Sequence, residues 1–438
     1  METDKTTLND LSIFNYEEEF SVFNKLNLTR TTGGREKLRQ IFTKSLNDIE
    51  AINNVHKTLR LIIERESQWP LSISNGSILM IHKFYEASLD QPPAHPSITS
   101  AQYYKLFHGP DYSLIKYSVS HAFDFIKGMQ HIVDSFLDDD TPQNLKKYLT
   151  TAKGIIEKEQ FRIFGQKEKS SDLFITDMLS LAYFIRYHYK QQFFELIEIY
   201  SQLDAWYGMA MAVKEFGLSF PVFIPSEEPR LKAENLYHIL LENPVSYDVQ
   251  LNNQNNFIFL TGANMAGKST FIKAVGSAVF LAHIGMGVPA KTMELSLFDG
   301  LLSNINVADN VAKGESYFYN EVQRIKKTII KITDGRKWLI LIDELFKGTN
   351  VQDAMKCSTV VIEGLIKIKR SLFILSTHLY EIGDDLQKYP NIDFKYFETN
   401  VTEEKLSFSY QLKDGISNDR LGFLILKREK VIELLEEL

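Results

Sequence analysis

The sequence predicts a mostly helical N-terminal half joined to an α/β C-terminal half. Three observations carry that prediction. Up to about residue 215, apolar residues recur at helical spacing. Between 217 and 230, Pro221, Pro225 and Pro229 interrupt the pattern. Beyond about 231, short continuous apolar runs alternate with helix-like segments, which suits strands buried on both faces of a parallel or mixed sheet. The expected domains are residues 1–220 and 221–438.

In the first half, Ile49, Ile52, Val55, Leu59, Ile62 and Ile63 share one helical face, behind Asn47-Asp48 as a helix start. Gln91 to Pro96 is a Pro-rich break. Phe136 to Pro142 is an acidic turn expected to cap the next helix, and Lys167 to Asp172 reads as a loop. Thr176 to Phe216 is one long periodic segment without Pro, its only glycine being Gly208. Such a length suits a helix or helix pair working as a strut, and suits the core of a helical bundle equally. In the second half, Phe257–Leu260, Trp338–Ile342 and Leu372–Leu375 are buried strands. Phe394–Tyr396 and Leu406–Tyr410 alternate in period two and suit peripheral strands, and residues 421–438 read as a helix.

The 438 residues suffice for two to three domains, and 44% hydrophobic with 24% charged residues is ordinary for a soluble globular chain. A net charge of −7 argues against a simple basic nucleic-acid coat, though local basic surface is what phosphate contacts require. The single cysteine, Cys357, allows no disulfide within the chain and is expected to pack in a helix. The first residues carry no apolar leader core. The most apolar helical stretch, Phe271 to Val288, contains Lys273, His283 and three glycines, so it reads as a buried helix and not as a membrane span. Nothing here suggests an oxidising compartment, and a cytoplasmic location without a membrane role is the expectation.

The chemistry concentrates at Thr261-Gly262-Ala263-Asn264-Met265-Ala266-Gly267-Lys268-Ser269-Thr270. An apolar strand precedes it and a helix start follows it, the context of a phosphate-binding loop. Gly262 and Gly267 permit the tight turn, Lys268 is placed for the β- and γ-phosphates of ATP, and the Ser269 hydroxyl is placed for Mg²⁺. Downstream, the strand Trp338–Ile342 runs into Asp343-Glu344. Asp343 suits a Mg²⁺ shell and Glu344 the orientation or deprotonation of an attacking water. A third strand, Phe373 to Leu375, leads through Ser376-Thr377 to His378, within reach of the γ-phosphate or the water. Three strand ends thus converge on one crevice. The arrangement resembles the ABC-type branch of phosphate-loop ATPases, which usually act as dimers whose subunits complete each other's sites. Ser316, in Gly314 to Glu321, occupies the interval of the trans-acting segment, though an ordinary helix cap explains that segment equally well.

Together these residues resemble the MutS family of DNA mismatch-repair ATPases. Residues 261–270 look like that family's Thr-Gly-Pro-Asn-Met-Gly-Gly-Lys-Ser-Thr loop, in which the Asn-Met pair is distinctive. Ser316 to Glu321 resembles its Ser-Thr-Phe-x-x-Glu segment, and Asp343 to Asn350 its Asp-Glu-Ile-Gly-Arg-Gly-Thr-Ser. Ser376 to Glu381 and Tyr410 to Gly415 resemble its Ala-Thr-His-Tyr-x-Glu and Tyr-Lys-Leu-x-x-Gly stretches. More weakly, Thr29 to Arg39 and Leu203 to Ala212 look like the two ends of its lever domain. The resemblance implies an ABC-type P-loop ATPase domain behind an all-α lever or core domain. It puts nucleotide on residues 262–270 with Ser316, Mg²⁺ on Ser269 and Asp343, and catalysis on Lys268, Glu344 and His378.

The same resemblance implies a homodimer, binding to duplex or branched DNA, and repair-protein partners. Departures qualify it. Ala263 and Ala266 replace Pro and Gly, Phe346-Lys347 replaces Gly-Arg, Asn304 stands where Arg is usual, and Tyr237-His238-Ile239 lacks a proline after its histidine. Core-like sequence begins near residue 20, leaving no room for mismatch-reading and connector domains, and any clamp would be a remnant around 92–170. The alternative reading is therefore a nucleotide-gated scaffold that recruits partner proteins without mismatch recognition. A transporter ATPase subunit is disfavoured by the missing Leu-Ser-Gly-Gly-Gln signature.

Overall fold

The computed structural model describes residues 1–158, 161, 164, 166–305, 317–401, 406–417, 431 and 434. Ser316 and nearly all of the expected C-terminal helix lie outside them. The chain forms two compact units, one of Leu26–Lys44 with Asn53–Glu215, the other of Met1–Lys25, Ser45–Ile52 and Phe216–Leu438.

Chain order begins with α1 (Lys5–Asp10) and α2 (Val22–Leu26), followed by α3 (Thr32–Thr43) and α4 (Ile49–Glu64). The helical unit continues with α5 (Asn75–Glu86), α6 (Ile98–Phe107), α7 (Gly109–Phe136), α8 (Gln143–Ile156), α9 (Ile175–His188) and α10 (Lys190–Glu215). Helix starts follow the sequence signals. The Asp48 carboxylate accepts from the Ala51 N–H at 2.8 Å, as expected of a cap. Helix α7 opens with Pro110 in its first turn, where a missing N–H costs nothing. The acidic turn before α8 behaves otherwise. Pro142 occupies the cap position without a capping side chain. Asp138 instead accepts from Asp140 N–H and Thr141 Oγ1 inside its own turn, and from Arg65. Asp138 thus spends its acceptors locally instead of on α8.

The long periodic segment is a helix pair. It breaks at Tyr189, whose φ of −126° and ψ of 13° leave the helical region. The Tyr189 ring is buried 4.8 Å from Phe184, so packing and not Pro or Gly sets the break. Helix α10 is buried on all sides along much of its length, which fits the centre of a bundle.

The second unit holds strands β1 (Val222–Phe223), β2 (Leu231–Leu236), β3 (Tyr247–Leu251), β4 (Phe257–Thr261), β5 (Thr292–Leu295), β6 (Gly300–Asn304), β7 (Trp338–Asp343), β8 (Ser371–Ser376), β9 (Ile392–Val401) and β10 (Leu406–Asp414). Its helices after the phosphate loop are α11 (Lys268–His283), α12 (Tyr317–Ile332), α13 (Val351–Leu365) and α14 (Ile382–Leu386). Six strands form one sheet in the order β10-β9-β4-β8-β7-β6, and β1-β5-β2-β3 form a second, smaller one. Within the larger sheet every pairing is parallel except β9 with β10. The fully apolar runs are explained by burial on both sides. Phe257, Phe259, Ile340, Ile342, Phe373 and Leu375 pack against α12 and α13, while α11 lies against β7 and β8. Cys357 packs at the edge of the α12–α13 cluster, as expected of a helical cysteine. Gly300 has a packing reason. A Cβ there would meet the Trp338 ring at 2.0 Å.

Residues 1–25 group with the α/β unit and not with the helices that follow them in sequence. Leu301 N–H donates to Glu2 O at 2.9 Å, and Glu2 N–H to Asp299 O at 2.6 Å, beside the edge strand β6. The buried Asp10 carboxylate accepts from Ser303 Oγ at 2.6 Å, Ile305 N at 3.1 Å and Arg324 at 3.1 Å. The N-terminus thereby covers an otherwise open sheet edge. Among the described residues, no helix is long and apolar enough to cross a membrane.

Candidate nucleotide site

Strand β4 delivers the chain to Gly262, at φ +138°, and the loop closes at Gly267, at φ +111°, the cap residue of α11. Those are backbone conformations that glycine adopts without a Cβ penalty. Met265 also takes a left-handed φ of +68° with its side chain exposed. A non-glycine residue held there is the kind of strain that clusters at ligand sites. The two departures, Ala263 and Ala266, are both buried, so their methyl groups fit inside the loop's packing. Asn264, Met265, Lys268, Ser269 and Thr270 line one cavity of about 460 Å³, and Glu344 faces them across it.

Lys268 is buried at the first turn of α11. Its ammonium donates to Gly262 O at 2.7 Å and Ala263 O at 3.1 Å. Burial lowers its pKa, against the opposing pull of Glu344 and Asp343. Ser269 Oγ donates to Asp343 Oδ2 at 2.5 Å. The register Asp343↔Ser376 between β7 and β8 sets Ser376 directly beside the same carboxylate, and its hydroxyl donates to Asp343 Oδ1. A serine hydroxyl and a carboxylate brought together at a strand end are hard oxygen donors. They fit Mg²⁺, which takes oxygen ligands and keeps several waters.

Glu344 follows β7 at φ +64° and is mostly buried. Lys347 Nζ lies 3.1 Å from its Oε2, and His378 Nδ1 lies 3.7 Å away, too far for a direct hydrogen bond but close enough for charge. The His378 imidazole foremost, with the Lys347 ammonium, holds the Glu344 carboxyl at about 2 against the raising effect of burial. A carboxyl depressed in the folded protein adds stability above its unfolded pKa of 4.5, and that stability is lost as pH falls through the folded value of about 2. The 3.7 Å gap to His378 leaves the half-solvated pair with Lys347 as the firmest source, so the size is roughly 1–2 kcal/mol. The free energy of unfolding of wild type minus that of Glu344→Gln should therefore shrink by roughly that amount between about pH 5 and pH 2. A difference that stays level across this range in acid titrations of unfolding would refute the assignment.

The predicted residues 262–270, Asp343, Glu344 and His378 are thus gathered at the ends of β4, β7 and β8. His378 is the most peripheral, half exposed and behind Glu344. Ser316 lies outside the described residues. The sequence reading missed Ser376 as a partner of Asp343, and Leu241, Val245, Tyr247 and Tyr410 as the apolar wall of the cavity. Ser376 stood inside a quoted motif. Tyr410 was marked by its place in the late strand, but only as a resemblance. The segment 241–247 carried no local signal, because an apolar wall is recognised by what it faces.

Residues 258–433 match the family described as MutS domain V. The DNA mismatch repair protein MutS of Thermotoga maritima is 27% identical over 303 residues, which cover 68% of this chain and 37% of that protein. Its namesake from Staphylococcus haemolyticus is 28% identical over 293 residues, covering 66% and 32%. That of Petrotoga mobilis is 27% identical over 304 residues, covering 68% and 36%. The match therefore spans about a third of the length of these curated relatives. It extends well beyond the loop and acids into the surrounding strands and helices, and on that ground residues 258–433 are like MutS domain V, in a chain that is MutS-like over about two thirds of its length.

Proposed function

We propose that this chain binds ATP and hydrolyses it with Mg²⁺, at sites that two copies complete for each other. The observation that supports it best is the meeting, in one cavity, of the phosphate loop, the Ser269–Asp343 pair and a Glu344 carboxyl held ionised. The fold then divides into an all-α lever-type domain over about 1–220 and an ABC-type ATPase domain over about 221–438, with residues 1–25 serving the latter. The loop's N–H groups and Lys268 receive the β- and γ-phosphates. Ser269 and Asp343 hold Mg²⁺, which would neutralise charge on the phosphate oxygens. Glu344 orients a water and takes its proton as the water oxygen bonds the γ-phosphorus and ADP leaves. His378 steadies Glu344 and the γ-phosphate from the rim, and Ser316 reaches the partner's nucleotide.

The curated relatives are named for DNA mismatch repair, and we extend that reading to this chain as ATP-coupled binding of duplex or branched DNA in repair or recombination, in the cytoplasm and alongside repair proteins. The test is Mg²⁺-dependent ATP turnover, measured with and without homoduplex, mismatched and branched DNA over a salt series. Turnover abolished by chelation and altered by DNA at low salt is the expected result. Turnover without DNA binding under any nucleotide condition would replace the DNA reading by a nucleotide-gated scaffold. No turnover at all would sink the enzyme assignment.

A further inference from the structure

The turn that carries Glu344 is held from an unexpected direction. Glu321, on α12, is 4% exposed. Its Oε1 accepts from Lys347 N–H at 3.1 Å and its Oε2 from Gly348 N–H at 3.1 Å. Both oxygens of one buried carboxylate are thus given to two consecutive amides of the turn that follows β7. Successive N–H groups around a left-handed residue form a concavity suited to an anion. Here Phe346, at φ +59°, supplies the left-handed residue and Glu321 supplies the anion. A second contact runs along the same path, because Phe346 is buried and its ring centroid lies 5.7 Å from that of Phe318, also on α12.

Glu344 and Phe346 both stand at positive φ within three residues. Such conformations persist only where the surroundings over-determine them. The hydrogen bonds to Glu321 and the packing of Phe346 are part of those surroundings, beside the Glu344 N–H bond to Ser376 O at 2.9 Å. They fix the backbone from which the Glu344 side chain leaves, and they fix Lys347, whose ammonium pairs with that side chain. A buried carboxylate is costly unless its lone pairs are used, so a purely packing role would be filled better by an apolar residue.

We propose that Glu321 is a positioning residue for hydrolysis, one that sets the turn 344–348 and so aims the Glu344 carboxylate at its water. The proposal rests on the hydrolysis reading above and deepens it. Glu321 touches no reacting atom. Its action passes through the backbone of the turn, so its removal should slow chemistry while leaving nucleotide affinity in place.

The experiment compares wild type, Glu321→Ala, Glu321→Gln, Glu344→Gln and the double variant Glu321→Ala/Glu344→Gln. It measures ATP binding, kcat and amide hydrogen exchange across 338–348. Glu321→Ala is expected to lower kcat at least about tenfold with the Kd for ATP within about twofold, and the double variant to be no slower than Glu344→Gln alone. Exchange should quicken at Lys347 and Gly348 and stay unchanged in β7. Glu321→Gln keeps one acceptor oxygen and should fall between, which carries the comparison if the alanine variant does not fold.

Wild-type kcat in both Glu321 variants would overturn the proposal. So would a loss that multiplies onto that of Glu344→Gln, or one confined to ATP affinity. A wild type no faster than Glu344→Gln would instead mean that Glu344 is not the base, and would defeat the positioning role with it, while an absence of any turnover would defeat the hydrolysis reading itself. Both outcomes are told apart from the others because they appear before any Glu321 variant is made.

Discussion

Glu344→Gln is expected to reduce kcat for ATP hydrolysis by about 10²- to 10³-fold, the usual worth of a positioned general base. The substitution changes little in the shape of the site. Gln has the same length and shape, so it can occupy the same mostly buried position at the end of β7. It cannot accept a proton from water, and it does not neutralise Lys347, whose Nζ lies 3.1 Å from the carboxylate oxygen. On the proposed reading the phosphate contacts fall to other groups, the loop amides and Lys268, so ATP affinity should stay within about threefold of wild type. This combination, retained binding with lost turnover, distinguishes loss of an interaction made in the transition state from damage to the pocket. Filter binding with radiolabelled ATP and phosphate release on the same preparations check it. Equal loss of binding and turnover would mean that Glu344 supports the loop and not the water. Unchanged turnover would mean that another group is the base.

What made this site readable in the sequence was chemistry that is local. The loop 261–270 carries its glycines, lysine and serine within a single turn, and its flanking strand and helix are adjacent in the chain. Asp343-Glu344 and His378 were readable because each ends an apolar run buried on both faces, and because parallel strands present their C-terminal ends together. The register that pairs Asp343 with Ser376 was not readable, since a parallel pairing carries no turn to fix it. Glu321 was quoted as part of a motif, but its two acceptors serve amides met only after the helix packs on the sheet. Residues 1–25 look like an ordinary N-terminal start. They join the α/β unit because Glu2 and Asp10 find partners about 300 residues away in sequence. The break between α9 and α10 was invisible for a related reason. No Pro or Gly marks it, and the burial of Tyr189 is a property of the assembled bundle.

The helical unit has its own concentrated point of failure, and Asp204→Ala is expected to destabilise that unit by about 3–5 kcal/mol, as loss of a buried, multiply bonded charge does. Asp204 lies on α10 and is fully buried. Its carboxylate accepts from Arg30 N at 3.0 Å, Thr31 N at 2.8 Å and Thr31 Oγ1 at 2.6 Å. Thr31 is in turn the cap of α3, accepting from Gly34 N at 3.1 Å. One side chain therefore satisfies donors at the start of a helix distant in sequence, and its removal strands them in a dry site at about 1–3 kcal/mol each. The approach is close by design of the sequence. A Cβ on Gly34 would stand 2.0 Å from Asp204 Oδ2, and one on Gly33 would stand 2.4 Å from Ser201 Oγ. Gly34→Ala should accordingly fail by pushing α3 off α10, with the carboxylate still present. Asp204→Asn keeps one acceptor and should cost about half as much as alanine, since one amide oxygen can still serve the Thr31 donors. Urea unfolding followed by circular dichroism gives these differences. A double-mutant cycle with Thr31→Val isolates the bond between the two side chains, with a coupling of about 1–2 kcal/mol expected for a hydroxyl donating to a buried carboxylate. A loss below about 1 kcal/mol for Asp204→Ala would mean that water enters and satisfies the stranded amides, so that the α3–α10 junction is held by its apolar packing alone.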